Sequence, residues 1–222
     1  MTKDVKKCIK SWKKHCPDYK IIEWNESNYD INKNIYTTKA YQTKKWAFLT
    51  DYVRLDVIYR YGGIYLDTDV ELLKPLDDLL TNSAYMGQEE PGKVNTGLGF
   101  GAMPKHTIIK QNKDFYENVD NFLDRKGKLK KIICVKVTTA ILQKHGFKNT
   151  NKIQSLRSIV IYPIDYFCPK KMGTNKITIT NNTYSIHHYD ASWKSNNRII
   201  NRLQYRLIPA KKIIKSLLFY EK

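Results

Sequence analysis

The sequence predicts one three-layer α/β domain whose sheet is part parallel and part antiparallel, and three observations support this fold class. The chain has 222 residues, 41% of them hydrophobic, which suits a single compact domain with a sizeable core. Helix and strand patterns alternate in its first part, and further strand patterns follow later. Neither internal repeats nor a low-complexity linker divide it. We therefore expect residues 1–222 to form a single domain.

Hydrophobic periodicity predicts the helices. Apolar residues recur at helical spacing in residues 4–16, 38–61, 106–124 and 136–145. Pro17 ends the first helix and the Gly62-Gly63 pair ends the second. The segment 200–217 carries an apolar stripe beside several lysines and arginines, which predicts a basic amphipathic C-terminal helix within residues 200–222, bent by Pro209.

Short β-favouring segments between these helices predict the strands. They are residues 19–24, 64–70, 85–88, 97–103, 159–162, 176–180 and 184–189. Residues 64–70 are apolar until they reach two carboxylates. This pattern is typical of a buried strand that ends at a functional site.

The composition predicts an anionic partner. Lysine and arginine outnumber acidic residues by 39 to 21, for a formal net charge of +18. Nucleic acid, anionic lipid and phosphorylated substrates are the candidates, and a lysine-rich solvated surface is the alternative. Because the bases are spread along the chain without interleaved aromatic residues, we expect no nucleic acid.

The apolar segments and the cysteines indicate the cellular compartment of the protein. The sequence has no membrane-spanning run and no apolar core of a signal peptide, so we expect a cytoplasmic protein, with peripheral binding to the inner membrane face as a further expectation. The cysteines are too widely spaced for a Cys-x-x-Cys pair, which predicts reduced, mostly buried thiols. They are Cys8, Cys16, Cys134 and Cys168.

Asp67 and Asp69 are the first candidate site residues. They are two positions apart, so at the end of a strand their carboxylates point to the same side. Mg²⁺ and Mn²⁺ commonly bind one or two carboxylates together with phosphate oxygens and water. Apolar neighbours make a charged pair costly unless it binds something. The alternative is a simple turn at Asp67-Thr68-Asp69.

Asp51 and Arg54 form a second candidate pair, one helical turn apart. Arginine is suited to forked contacts with oxygen atoms, so Arg54 is a candidate for binding the oxygen atoms of a ligand and Asp51 for binding its hydroxyl groups. The alternative is an ion pair on the helix surface, worth a few tenths of a kcal/mol.

The run from Trp46 to Val70 resembles the signature of glycosyltransferase family 32. It contains Asp51, Arg54, Gly62-Gly63 and Asp67-Thr68-Asp69 in one register. That family includes bacterial capsular and exopolysaccharide transferases and the yeast initiating mannosyltransferase, and it is distantly related to the glucosylating domains of clostridial toxins. The resemblance extends over most of the chain, in residues 7–24, 95–102, 162–169 and 187–193.

The resemblance implies a GT-A fold with a mixed, mainly parallel sheet, a nucleotide-sugar donor (UDP-linked), Mn²⁺ or Mg²⁺, and retention of the anomeric configuration. It implies that Asp69 binds the metal, that Asp67 contacts the ribose or a metal-bound water, and that Asp51 and Arg54 hold the sugar. The catalytic set is then Asp67, Asp69 and Arg54. The other residues that it places at the donor are Gly63, Tyr65, Asn95, Ser192 and Trp193.

The resemblance also implies that His188, Ser192 and Trp193 close over the diphosphate, with His188 as a metal ligand. The alternatives are that strand alternation buries one of His187 and His188 and exposes the other, and that Trp193 is a core residue. Family members usually begin with a further strand before the first helix. This chain starts after it, so we expect the nucleotide pocket to be the most affected part.

These features predict a metal-dependent retaining transferase that adds a hexose or N-acetylhexosamine to a lipid-carried glycan in surface polysaccharide synthesis. One alternative is a toxin-like transferase acting on a protein. The other is a basic lipid-binding or nucleic-acid-binding protein with a decayed site. For a retaining reaction, the candidate nucleophiles are Glu89, Glu90, Asn95 and Asp190. A front-face mechanism needs none of them.

Overall fold

A computed structural model describes residues 3–171, 173–174, 176–189 and 216–220. Within these residues the helices are α1 (Lys3–His15), α2 (Ile35–Gln42), α3 (Trp46–Tyr61), α4 (Thr107–Glu117), α5 (Val119–Phe122), α6 (Cys134–Lys144) and α7 (Ile164–Phe167). The strands are β1 (Tyr19–Glu23), β2 (Gly63–Tyr65), β3 (Val70–Leu72), β4 (Ala84–Glu90), β5 (Lys93–Val94), β6 (Phe100–Ala102), β7 (Gln154–Leu156), β8 (Ile159–Tyr162), β9 (Ser185–His187) and β10 (Ser216–Tyr220).

The main sheet has the strand order β1-β10-β2-β6-β4-β8-β7, with β5 paired to β4, and β3 and β9 form a separate two-stranded ribbon. The predicted mixed α/β fold is confirmed. β1, β2, β4 and β8 all run in one direction, as a mainly parallel sheet requires. However, antiparallel β10 lies between β1 and β2, and antiparallel β6 lies between β2 and β4, so the only directly parallel neighbours among the described strands are β4 and β8.

Helices cover both faces of the sheet and make three layers. Successive residues of a strand point to opposite faces, and in β2 Ile64 packs in one apolar cluster while Tyr65 packs in the other. The Ile64 cluster contains Trp12 of α1, whereas the Tyr65 cluster contains Leu49 of α3. This arrangement is the three-layer sandwich that the alternating pattern predicts.

The helix predicted over residues 38–61 is two helices in the structure. Asn34 caps α2 by accepting a hydrogen bond from the Thr37 N–H. At the other end the Thr43 hydroxyl donates to the Lys39 carbonyl oxygen, and Lys44 takes a left-handed conformation with φ 55°. Neither glycine nor proline lies at this break, so hydrophobic periodicity predicts one continuous helix there. A second break, at Asn118, divides the predicted helix 106–124 into α4 and α5.

The strand predicted over residues 64–70 also divides, and its division forms the site. β2 ends at Tyr65, the Val70 N–H donates to the Asp67 carbonyl oxygen at 2.9 Å, and β3 starts at Val70. Asp67 and Asp69 therefore lie in a turn that carries the chain from the main sheet into the ribbon. The predicted strand at 176–180 is reduced to a single bridge between Lys170 and Ile177.

The end of the predicted C-terminal helix is corrected by the structure. Residues 216–220 form β10, which pairs along its whole length with β1 and at two positions with β2. Two facing strands offer their backbone groups there, and pairing satisfies the backbone of an inserted extended segment on both sides. The rest of that predicted helix, including Pro209, lies outside the described residues.

Candidate metal and donor site

Three side chains meet at the turn between β2 and β3. Each of Asp67, Asp69 and His187 offers one ligand atom, and these atoms all lie within 4.8 Å of one another. The His187 Nε2 atom is 3.4 Å from Asp69 Oδ1 and 3.9 Å from Asp67 Oδ2. Both carboxylate side chains are only 13% exposed. The two carboxylates thus face a histidine across a largely enclosed space.

The β3–β9 ribbon decides which histidine reaches this space. Val70 pairs with His187, and the His188 N–H donates to the Asp69 carbonyl oxygen at 2.9 Å. Because neighbouring strand residues point to opposite sides, His188 turns away, and its Nε2 lies 2.8 Å from Glu71 Oε2, which also accepts from Lys7. His187, rather than the predicted His188, is therefore the histidine that lies beside the carboxylates.

The donor set fits a divalent cation. Neither ring nitrogen of the buried His187 has a hydrogen-bond partner among the described residues, although buried polar groups are nearly always paired. Two like charges in a low-exposure turn also repel each other unless a cation lies between them. The Tyr189 ring packs edge-on against the His187 imidazole, with ring centroids 4.2 Å apart, and fixes its plane.

Arg54 lies beside Asp67 and is fully enclosed. Its Nη2 donates to Asp51 Oδ1 at 2.7 Å, its Nε donates to the Thr50 carbonyl oxygen, and its guanidinium lies 5.1 Å from the centre of the Tyr65 ring. Burial opposes the charge, but Tyr65, Asp67 and Asp51 together raise the pKa of Arg54 well above its usual value. Its Nη1 has no partner among the described residues. The interpretation of Asp51 and Arg54 as a surface pair is therefore wrong.

Tyr65 holds the Asp67 carboxylate by a hydrogen bond. Its hydroxyl donates to Asp67 Oδ1 at 2.5 Å, and the ring is buried. Burial raises the pKa of Tyr65 and the neighbouring Asp67 charge raises it further, so the phenol stays protonated and remains a donor. The predicted donor residue Tyr65 thus orients a carboxylate.

Gly97 forms the wall opposite Asp67. A Cβ atom at this position would lie 3.0 Å from Asn95 Oδ1, 3.2 Å from Asp67 Oδ2 and 3.3 Å from Arg54 Nη1. The Gly97 N–H donates to Asn95 Oδ1 at 2.7 Å. These distances are shorter than ordinary van der Waals contacts, so the absence of a side chain lets the backbone pass close to the Arg54 guanidinium and the Asp67 carboxylate.

Asn95 is held by groups on both sides. Its Nδ2 donates to Glu89 Oε2 at 2.7 Å, and the Cys134 Sγ lies 4.0 Å from its Oδ1. Burial raises the pKa of Glu89 and also that of the Cys134 thiol. Cys134 was not predicted here, because an isolated cysteine in a helix pattern carries no signal of its position. None of the four cysteines forms a disulfide, in agreement with the predicted reduced thiols.

Two sets of predicted residues lie elsewhere. Gly63, with φ 94°, starts β2 at the end away from Asp67 and makes the turn out of α3, so the structure does not bring it to the site. Ser192 and Trp193 lie outside the described residues, as does Asp190.

Replacing each histidine in turn tests the choice between them. We expect His187→Ala to weaken Mn²⁺ binding by about tenfold or more, because it removes a ligand nitrogen, and His188→Ala to change it by less than threefold. Calorimetric titration of Mn²⁺ into both variants measures this difference. Equal losses, or a larger loss for His188→Ala, would contradict the assignment.

A paired substitution tests the orientation of Asn95. Asn95→Asp puts a second carboxylate beside Glu89 and removes the donated hydrogen bond, so we expect unfolding free energy to fall by about 1–3 kcal/mol. Adding Glu89→Gln restores an amide donor facing a carboxylate and should recover most of that loss in urea unfolding. An additive double variant would show that the two side chains do not interact.

Comparison with known families agrees with this site. Residues 2–86 match the family described as glycosyltransferase sugar-binding region containing DXD motif. The matched segment includes Asp51, Arg54, Asp67 and Asp69. No solved structure is significantly similar to the chain. Among the described residues, no helix is both long and apolar enough to cross a membrane.

Several relatives are glycosyltransferases by name. The chain is 31% identical over 96 residues to inositol phosphoceramide mannosyltransferase 1 of Schizosaccharomyces pombe, which covers 42% of this chain and 28% of the relative. It is 29% identical over 116 residues to a mannosyl phosphorylinositol ceramide synthase of Saccharomyces cerevisiae, covering 49% and 30%. It is 28% identical over 82 residues to human alpha-1,4-N-acetylglucosaminyltransferase, covering 36% and 21%.

The chain thus spans less than a third of the length of each of these relatives. Their similarity and the family match agree with the site built from Asp67, Asp69 and the Asp51–Arg54 pair. Residues 2–86, less than half of the chain, are thus similar to glycosyltransferases that carry a sugar-binding region with a DXD motif.

Proposed function

We propose that this chain transfers a hexose or N-acetylhexosamine from a nucleotide sugar to a glycan acceptor, in a metal-dependent reaction that retains the anomeric configuration. The observation that carries the proposal is the enclosed group of Asp67, Asp69 and His187 beside the buried Arg54. An intact ligand group with an unpaired guanidinium nitrogen at its edge is unexpected in a decayed site. It favours an active enzyme.

The ligand group favours Mn²⁺ over Mg²⁺. Mg²⁺ is bound almost entirely by oxygen, whereas a transition metal also accepts the imidazole nitrogen that His187 provides. Asp69, Asp67 and His187 would hold the ion. When bound, it would neutralise charge on the leaving nucleoside diphosphate.

The residues beside this ligand group bind and orient the donor. Arg54 presents Nη1 to donor oxygens, and its bond to Asp51 fixes the guanidinium plane. Asp51 is the acceptor for sugar hydroxyls. Asn95, held by Glu89 and the Gly97 N–H, lies on the same side of Arg54. We assign the donor sugar to these three residues, for which a UDP-linked sugar is the first candidate.

Glu89 is the carboxylate best placed to act on the sugar. Glu90 is exposed and paired with Lys93 at 2.5 Å, whereas Glu89 points inward to Asn95. Glu89→Gln keeps an acceptor for the Asn95 amide but cannot act as a nucleophile. A loss of transfer by a factor of 10³ or more would favour a nucleophilic role, and a small effect would favour the front-face mechanism.

For the acceptor we propose a lipid-linked glycan, as in surface polysaccharide synthesis. One relative is named as an inositol phosphoceramide mannosyltransferase, another as a mannosyl phosphorylinositol ceramide synthase, and a third as an N-acetylglucosaminyltransferase. These names support a hexose or N-acetylhexosamine and an acceptor presented at a membrane.

A panel of UDP-linked and GDP-linked sugars tests the proposal. We expect one donor to release its nucleoside diphosphate slowly in Mn²⁺, less in Mg²⁺, and not at all in EDTA. Release that is unaffected by EDTA would contradict the metal assignment. Donor binding or release that is absent across the whole panel would contradict the function.

A further inference from the structure

The loop between α5 and α6 carries a concentrated positive charge. We call residues 124–131 the basic hairpin. It contains one acidic residue and five basic ones, namely Asp124 and Arg125, Lys126, Lys128, Lys130 and Lys131. All six of these side chains are exposed.

The backbone of the basic hairpin is fixed, so it displays these charges in place. Asp124 Oδ1 accepts the N–H groups of Lys126 and Lys128 at 2.8 and 2.9 Å, and Gly127 takes the left-handed conformation with φ 68°. A β-bridge joins Leu123 to Leu129, and Leu129 is buried in the core. The single acidic side chain of the hairpin thus stabilises the hairpin's own turn by accepting backbone hydrogen bonds.

Among the described residues, none of the hairpin bases forms a salt bridge with an acidic side chain. Asp124 attracts Lys128 and Lys130 only through space, and the Lys130 ammonium donates to the Asp120 carbonyl oxygen at 2.6 Å. By contrast, other surface lysines such as Lys93 and Lys110 each pair with a carboxylate. The charges of the hairpin are therefore available to a partner.

The hairpin leads directly into the donor site. After it, Ile132 is buried, Ile133 is 41% exposed, and Cys134 starts α6 with its Sγ 4.0 Å from Asn95 Oδ1. Lys45, at the start of α3, donates to the Leu129 carbonyl oxygen and ties the hairpin to the helix that carries Asp51 and Arg54. A partner bound by the hairpin would lie beside the residues assigned to the sugar.

We propose that the basic hairpin and Ile133 bind an anionic lipid surface and hold the donor site against it. Clustered bases with an adjacent exposed apolar side chain suit lipid headgroups. Residues 124–133 contain no aromatic side chain to stack on bases, which disfavours RNA. The orientation of the site rests on the proposed function, whereas the binding itself does not require transfer activity.

Two matched triple variants of the full chain test this surface. One replaces Arg125, Lys126 and Lys128 by Gln, and the control replaces Lys3, Lys6 and Lys10 by Gln. The control lysines are exposed on α1, which covers the opposite face of the sheet. Each variant replaces three basic residues, so both lose the same charge. The backbone bonds of Asp124 remain in the first variant, and the thermal midpoint checks that both fold.

Co-sedimentation with vesicles of 30% phosphatidylserine in phosphatidylcholine is the measurement, with pure phosphatidylcholine and a short RNA as comparisons. Each basic residue near the surface should strengthen partitioning onto the vesicles by about fivefold. We therefore expect partitioning of the hairpin variant to fall roughly a hundredfold and that of the α1 control to fall less than fivefold. Binding should also weaken in 0.5 M salt.

Three results would overturn the proposal. Equal losses in the two variants would assign binding to overall charge, and wild-type binding to phosphatidylcholine alone would remove the role of headgroup charge. A hairpin variant that loses RNA binding but keeps vesicle binding would assign the surface to nucleic acid. Because the readout is vesicle binding, failure of the donor panel would leave this result unaffected.

Discussion

The Asp69→Ala variant is expected to lose transfer by a factor of about 10³ or more while remaining at least as stable as the unmodified protein. Removing a carboxylate from the group of Asp67, Asp69 and His187 removes a ligand, and metal-ion stabilisation of a leaving group accounts for several kcal/mol. In metal-free buffer the same change relieves repulsion between two carboxylates, so the thermal midpoint should not fall. Release of nucleoside diphosphate and thermal unfolding in EDTA measure the two effects.

Glu71 provides the matched control for this experiment. It lies two residues further along in β3, and its carboxylate contacts Lys7 and His188 on the other side of the ribbon. We expect Glu71→Gln to retain transfer within a few-fold. Full activity of Asp69→Ala in Mn²⁺, or an equal loss in the two variants, would contradict the metal assignment.

The second large effect is expected at the buried pair of Asp51 and Arg54. Arg54→Met should lower unfolding free energy by about 3–5 kcal/mol, because it leaves the Asp51 carboxylate buried without its cation. The double variant Asp51→Asn/Arg54→Met removes both charges and should recover much of this stability. Transfer should remain lost in both variants, because both lack the guanidinium that we propose to hold the donor.

The same helix contains a control for the stability measurement. Arg60 pairs with Asp56 at 3.0 Å, but its side chain is 37% exposed and Asp56 also accepts from Tyr29 and Lys33. Arg60→Met should therefore cost about 1 kcal/mol or less in urea unfolding. If Arg54→Met costs no more than Arg60→Met, the Asp51–Arg54 pair is screened by solvent and the buried arrangement is wrong.

The fold class and the first part of the site could be predicted from local sequence. Periodicity is a local property, and it locates α1, β1 and β8 to within about one residue. The short spacing between Asp67 and Asp69 and the single helical turn between Asp51 and Arg54 also bring each pair together without knowledge of the fold. What spacing does not supply is the burial of the second pair, which depends on packing by α2, α4 and the sheet.

The remaining site residues depend on pairings between distant segments. His187 rather than His188 reaches the carboxylates because β9 aligns His187 with Val70, and a shift of one residue would exchange the two histidines. Glu89 and Cys134 join the site through Asn95, by contacts across 6 and 39 residues of the chain. The break at Lys44 has no sequence signal, since neither Gly nor Pro stands there.

The position of β10 affects the order in which this chain can fold. In β10, Tyr220 pairs with Tyr19 of β1 and Leu217 pairs with Tyr65 of β2. This side of the sheet therefore forms only when segments about 150 to 200 residues apart in the sequence come together. Bringing such distant segments together has a large entropic cost and slows folding. During synthesis, β1 and β2 would emerge long before residues 216–220 and expose unpaired backbone edges that invite association with other chains. Residues 216–220 would therefore be the last part of the sheet to gain protection from hydrogen exchange during refolding.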